Sequence, residues 1–139
     1  MKRFEIEKSC GCIIIDNGMV LLEKQKGDKP GTSFWCFPKG HQEKNESDIE
    51  TALREVKEEI GVDVEIIDSQ PIVVEHPTSK GKKVILFFLA KPKVDQKIVL
   101  QDDEIDHADW IKFGDVEQLL TYEHYKIAWK QAQLKFCQR

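Results

Sequence analysis

The chain has 139 residues, 40% of them hydrophobic and 33% charged, with 21 lysines and arginines against 25 acids and a net charge of −4. That length suits one globular domain with a real core, expected here over residues 1–139. The charge balance argues against long nucleic acid as the main ligand, which would leave a basic footprint, and no apolar run approaches the roughly 18–20 residues of a membrane-spanning helix.

The amino end, MKRFEIEKSCGC, is charged and lacks a continuous apolar segment, so no secretory signal is expected and the cytoplasm is the expected location. Residues 3–15 and 19–24 are apolar or alternating around Asp16-Asn17-Gly18, which predicts a hairpin. Within the first of these stretches, Cys10-Gly11-Cys12 reads as small buried strand residues rather than a redox or metal pair. Cys36 and Cys137 stand alone, and no Cys/His spacing suits zinc. Residues 24–33, with Gly27, Pro30 and Gly31, predict a loop able to border a site. The apolar run Phe34–Phe37 ends at Pro38, and Lys39-Gly40-His41 leads toward a helix over 48–60. Ser47-Asp48-Ile49-Glu50 is a capping-box pattern and Gly61 a stop signal; between them Ile49, Ala52, Leu53, Val56 and Ile60 make one apolar stripe.

Strands are expected over Val62–Glu75 and Lys83–Lys91, separated by a turn at Pro77–Gly81. Lys97–Leu100 and Ala108–Phe113 read as shorter strands around an acidic loop, Gln101–His107. Asp115–Leu120 predicts a short helix, and 122–137 a closing amphipathic helix carrying Tyr125, Ala128, Trp129, Ala132 and Phe136. Strands and single helices in this order imply an α/β fold, a mixed sheet with helices on both sides.

The chemistry concentrates in residues 40–62. Gly40, five residues, Glu46, seven residues, Arg54-Glu55, aliphatic Val56, Glu58-Glu59, Gly61 and Val62 form the skeleton. Glu55, Glu58 and Glu59 fall within about 100° of each other on a helix and repel one another. A hard divalent cation relieves that repulsion, since Mg²⁺ takes carboxylate oxygens together with phosphate oxygens and water. The alternative is a solvated acidic face paired with bases, but Arg54 and Lys57 are expected to project away from the three acids. With Gly40, Glu46 and Arg54 in register, the glutamates read as a metal site. A phosphate substrate would share the protein's sign of charge, so its attraction must be local.

These nine positions resemble the Nudix box, the signature of hydrolases that split a nucleoside diphosphate linked to another group. Seven are fixed residue types at roughly 5–10% usage, so a chance match at one start is below about 10⁻⁷. Trp35, Phe37-Pro38-Lys39-Gly40-His41, Glu50–Glu55, Lys83-Val84-Ile85, Phe88-Leu89-Ala90 and the spacing of Glu104 to Trp110 are similar to the asymmetrical diadenosine tetraphosphate hydrolases. Two departures stand out. Glu43-Lys44-Asn45 replaces a common Pro-Gly loop, and Phe87 replaces a ring-binding tyrosine.

The resemblance implies a Nudix α/β/α sandwich and a Mg²⁺ (or Mn²⁺) cofactor held by the Gly40 carbonyl, Glu59 and Glu58. Glu55 binds metal or orients the attacking water, Arg54 positions the glutamates, and Glu46 steadies the loop. Glu104 is a ligand or general base, or else a plain loop acid beside Asp102, Asp103 and Asp106. Lys39, Lys83, His41 and Lys26 are candidates for phosphate, with His41 alternatively a backbone-bonded loop residue. Tyr122 and Phe87 would sandwich an adenine, unless Phe87 is core. The implied reaction converts diadenosine tetraphosphate to ATP and AMP. A triphosphorylated or capped RNA end, a damaged nucleoside triphosphate and a non-catalytic binding module are the rival readings.

Overall fold

In the computed structural model, which describes residues 3–94, 96–100 and 103–138, eight strands and three helices form. They are β1 (Glu5–Asp16), β2 (Met19–Lys26), β3 (Ser33–Cys36), β4 (Lys39–His41), α1 (Asp48–Ile60), β5 (Val64–Ile66), β6 (Ile72–Pro77), β7 (Gly81–Pro92), β8 (Ile105–Lys112), α2 (Phe113–Leu119) and α3 (Glu123–Cys137). The sheet is mixed. β1 runs parallel to β7, from Glu5↔Gly81 to Ile14↔Ala90, and antiparallel to β2 and β4. β7 also carries β5 and β6, while β2 carries β3 and β8.

The hairpin turn follows from Asn17 and Gly18, both at positive φ (49° and 75°), which matches the strand twist. Helix α1 is capped as its sequence requires. The Glu50 amide donates to Ser47 Oγ at 3.1 Å, the Ser47 amide donates to Glu50 Oε1 at 2.9 Å, and left-handed Gly61 returns its N–H to the Lys57 carbonyl at 3.0 Å.

Alternation along β1 divides the core in two. Cys10, Cys12 and Ile14 point to α1 and pack with Ala52, Val56 and Ile60. Ile13 and Ile15 point to the opposite face, against Ala128, Trp129 and Ala132 of α3. Trp129 is 1% exposed, so its truncation to alanine should cost about 3–5 kcal/mol.

Several expected elements change in detail. Val62–Glu75 is broken into β5 and β6, with Asp68 Oδ1 accepting the Gln70 amide at 3.0 Å in a turn before Pro71. Lys97–Leu100 forms no strand; Val99 instead donates its amide to the Ile60 carbonyl at 2.9 Å. The expected loop over Gln101–His107 yields to β8, whose ladder with β2 begins at Ile105, while Gln101 and Asp102 lie outside the described residues. Lys39-Gly40-His41, expected only as a lead-in to the helix, is a strand paired with Ser9–Gly11. Among the described residues no helix is long and apolar enough to cross a membrane.

Candidate active site

One turn of α1 and the short β4 strand bring the box together. Glu59 is only 5% exposed; its Oε1 accepts the Lys39 amide at 3.1 Å, and Oε2 lies 3.3 Å from Gln25 Nε2. Beside it is an acid that the sequence reading missed. Glu23 of β2 is fully buried, with Oε2 at 2.6 Å from Gln25 Nε2 and, among the described residues, no partner for Oε1. Burial raises the pKa of both carboxyls, and for Glu59 the neighbouring Glu23 adds to that rise. A signal for Glu23 was present. Two residues beyond buried Leu21 on a strand of period 2, it occupies an inward position.

Arg54 lies at the centre of this face, contrary to the projection expected from helix geometry but among the glutamates, where the resemblance implied it. Its Nε and Nη2 form a two-pronged contact with Glu46 at 2.6 and 3.0 Å, and Nη1 reaches Glu55 Oε1 at 3.0 Å and Glu58 Oε2 at 3.1 Å. Nη2 also donates to the His41 carbonyl at 3.0 Å. Residues four apart share a helix face, so the guanidinium reaches Glu58 one turn on; a wheel of Cα directions misses that reach. The Arg54 fork, with the Glu43 amide, holds the Glu46 carboxyl down to about 2. Lys57 does turn away, to Asp63 at 3.1 Å.

These residues fit a divalent cation. The donors are hard oxygens, Glu23 Oε1 is a buried oxygen lacking a partner among the described residues, and the Glu55 carboxylate packs where a Cβ on Gly40 would sit. Only glycine allows that approach. Among the described residues no three Asp, Glu, His or Cys side chains converge as a ready ligand set, since Arg54 and Gln25 hold carboxylates through hydrogen bonds. Glu104 is exposed before β8, its carbonyl accepting the Lys26 amide at 2.8 Å, at the strand end where Gln25 pairs with Ile105.

On the far side of β4 lies a cleft of about 470 Å³, lined by Phe34, Lys39, His76, Lys83, Tyr122 and His124 among others. This is an ordinary size for a small-molecule site. A larger hollow of about 650 Å³, between Phe4 and Gly81, contains none of the box residues. The Lys39 ammonium sits 5.8 Å from the ring centroids of both Phe34 and Tyr125. Burial, then the nearby Lys39 charge, lowers the Lys83 ammonium to about 8. His76, His124 and Tyr122 stack nearly parallel, with centroids 4.5 and 5.8 Å apart and planes within 7° and 8°. Tyr122, at the outer end, is 46% exposed.

Phe87 does not line this cleft. It is fully buried, edge-on to Phe37 at 5.3 Å and Tyr125 at 6.3 Å, because an inward position on central strand β7 faces α3. No face is left for a base. His41 is exposed outside the cleft lining, and Lys26 faces Asp106 at 3.9 Å.

A sequence profile of the NUDIX domain matches residues 6–132, spanning the box, the cleft and both faces of the sheet. The chain belongs to the Nudix family. It is 30% identical over 146 residues to the asymmetrical bis(5′-nucleosyl)-tetraphosphatase of Rattus norvegicus, covering 94% of this chain and 95% of that one. Similarity to an RNA pyrophosphohydrolase of Nitratiruptor sp. reaches 38% over 98 residues, 63% of each chain. Among solved structures, the Caenorhabditis elegans Ap4A hydrolase binary complex superimposes with a TM-score of 0.81 at 21% identity, covering 96% of this chain and 99% of that one. The fold is thus the Nudix mixed sheet between helices, and the protein is a Nudix pyrophosphohydrolase. Glu23, Gln25, His76 and His124 are among the site residues that lie outside every motif read from the sequence.

Proposed function

We propose that the chain is a single Nudix domain that hydrolyses diadenosine tetraphosphate to ATP and AMP with the aid of Mg²⁺ or Mn²⁺. The observation that carries this reading is the pairing of the α1 acid cluster with a cleft holding two lysines and a row of aromatic rings across one short strand. The similarity to the rat tetraphosphatase over nearly both full lengths supports the choice of substrate. No disulfide forms among the described residues, and Cys10, Cys12 and Cys36 are buried free thiols, which fits a reducing compartment such as the cytoplasm.

Glu59, Glu58, Glu55 and the Gly40 carbonyl would hold the cation, with Glu104 contributing from the β8 loop as ligand or proton acceptor. The cation would neutralise phosphate charge and make water a better nucleophile. Lys39 and Lys83 draw the polyphosphate into a net-negative protein and offset charge on the departing oligophosphate. Arg54 keeps Glu55 and Glu58 in place through its two 3.0–3.1 Å contacts. Tyr122 and the stacked His124 offer a flat surface for a purine, with Phe34 at 5.4 Å from Tyr122 on the adjoining wall. One water is consumed, one P–O–P bond breaks, and the proton leaves through a carboxylate.

Purified chain with Mg²⁺ should convert diadenosine tetraphosphate to equal amounts of ATP and AMP by chromatography, faster than it acts on triphosphorylated RNA or oxidised dGTP. The likeness to an RNA pyrophosphohydrolase favours an RNA 5′ end as the second reading. Inert tetraphosphate together with rapid pyrophosphate release from RNA would replace the first reading with the second.

A further inference from the structure

The α1-facing side of β2 presents Leu21, Glu23 and Gln25 at alternate positions, which runs an apolar strand directly into two polar side chains inside the protein. Three oxygens from three different elements converge on a single nitrogen. Gln25 Nε2 lies 2.6 Å from Glu23 Oε2, 3.3 Å from Glu59 Oε2 and 3.4 Å from the Lys39 carbonyl. A primary amide has two hydrogens and no charge, so it cannot satisfy three acceptors or balance two carboxylates. Glu23 is fully buried and Glu59 5% exposed, while the second Glu23 oxygen has no partner among the described residues. Two facing acids enclosed in this way either share a proton or take up a cation, and the lysine nearby in the fold, Lys39, turns its ammonium toward Phe34 and Tyr125.

Two carboxylate oxygens and a carbonyl around one point are a donor set for a hard divalent ion. We propose that Glu23 is a direct ligand of the divalent cation, joining Glu59 from outside the box, and that the Gln25 amide marks the place the cation takes. Gln25 is partly exposed, so its side chain can swing outward when the ion arrives. This rests on the metal dependence proposed above and adds to it a ligand from β2. It also accounts for an acid in the run Val20-Leu21-Leu22-Glu23, where every preceding residue is buried and apolar.

The test is Mn²⁺ binding to the full chain without nucleotide, followed by calorimetry and by the electron paramagnetic resonance signal of free Mn²⁺. Glu23→Gln should weaken Mn²⁺ at least about tenfold, the scale seen when groups around a metal are lost. Its melting temperature in EDTA should stay the same or rise, because a buried charge has gone. Gln25→Ala should bind Mn²⁺ as tightly as the unmodified chain or more so. Glu23→Gln binding within twofold of the unmodified chain would overturn the proposal. If Glu23→Gln does not fold, anomalous scattering from Mn²⁺ in crystals of the unmodified chain decides. A peak about 2–2.5 Å from a Glu23 oxygen supports it, and a peak touching only α1 and β4 overturns it. Mn²⁺ binding that survives Glu23→Gln sinks this inference alone, whereas an unmodified chain that binds no Mn²⁺ sinks the metal-dependent reading as well.

Discussion

The two sides of β4 are built on opposite charges. Toward α1, carboxylates crowd together and are held by an arginine fork and one glutamine; toward α3, two lysines crowd together among aromatic rings. Each cluster repels itself. Lys39 belongs to both, its amide bonded to Glu59 and its ammonium placed over Phe34 and Tyr125. The contrast supports the proposed pairing of metal and substrate. On the proposed reading a cation would suit one side and a polyphosphate the other, and a cation–polyphosphate pair would bridge them, so that neither cluster need be optimised for the protein's own stability.

The acid side should give the largest effect. Glu59→Gln keeps size and removes charge, and turnover should fall about a hundredfold or more with an unchanged circular dichroism spectrum. EDTA should stop turnover, and Mg²⁺ or Mn²⁺ should restore it. A mutant retaining more than about a tenth of the rate would break the assignment of this side to metal.

On the lysine side, Lys83→Met should raise KM for the tetraphosphate about tenfold or more, the worth of one charge-assisted contact. Mn²⁺ affinity should not move. Equal KM values would reduce Lys83 to a bystander and leave the cleft without its proposed role.

A sharper version uses pH. Lys83 is lowered to about 8 by burial and by Lys39, so it is charged below that pH and neutral above it. The value of kcat/KM for the tetraphosphate should therefore decline as pH rises through about 8, since that ratio follows the free enzyme. In Lys39→Ala the limb should move to higher pH. A limb that stays in place would mean another group controls it.

The smallest effect concerns stability at the aromatic row. Burial, then His76 and the two lysines, lower His124 to about 4 from an ordinary 6.5. Between those values the unfolded chain takes up a proton that the folded chain refuses, so stability should drop as pH falls from 6.5 toward 4. With the ring half-exposed, the loss should be about 1 kcal/mol. His124→Phe should flatten that slope in urea titrations, and an unchanged slope would show that His124 charges freely.

The box was legible because it is local. Ser47, Glu50 and Gly61 fix the ends of α1, and helical period then dictates which face carries Glu55, Glu58 and Glu59. The α3 stripe was legible for the same reason, with Tyr125, Ala128, Trp129 and Ala132 all buried. Arg54 was misjudged because a side chain that long is not confined to the direction of its Cα. Phe87 was left open between base stacking and core because strand residues 84–89 are apolar throughout, and alternation does not tell the cleft face from the core face in such a run; the structure places it in the core.

The sequence by itself determined the family, the reaction class and the acid helix, since each depends on spacings within about twenty residues that a helix converts directly into geometry. Only the tertiary structure decided the rest. Glu23 meets Glu59 because β2 lies under α1, and the cleft forms where β3, β4, β6, β7 and the start of α3 come together. Those meetings join residues far apart in the chain, through strand pairings whose register no local pattern encodes.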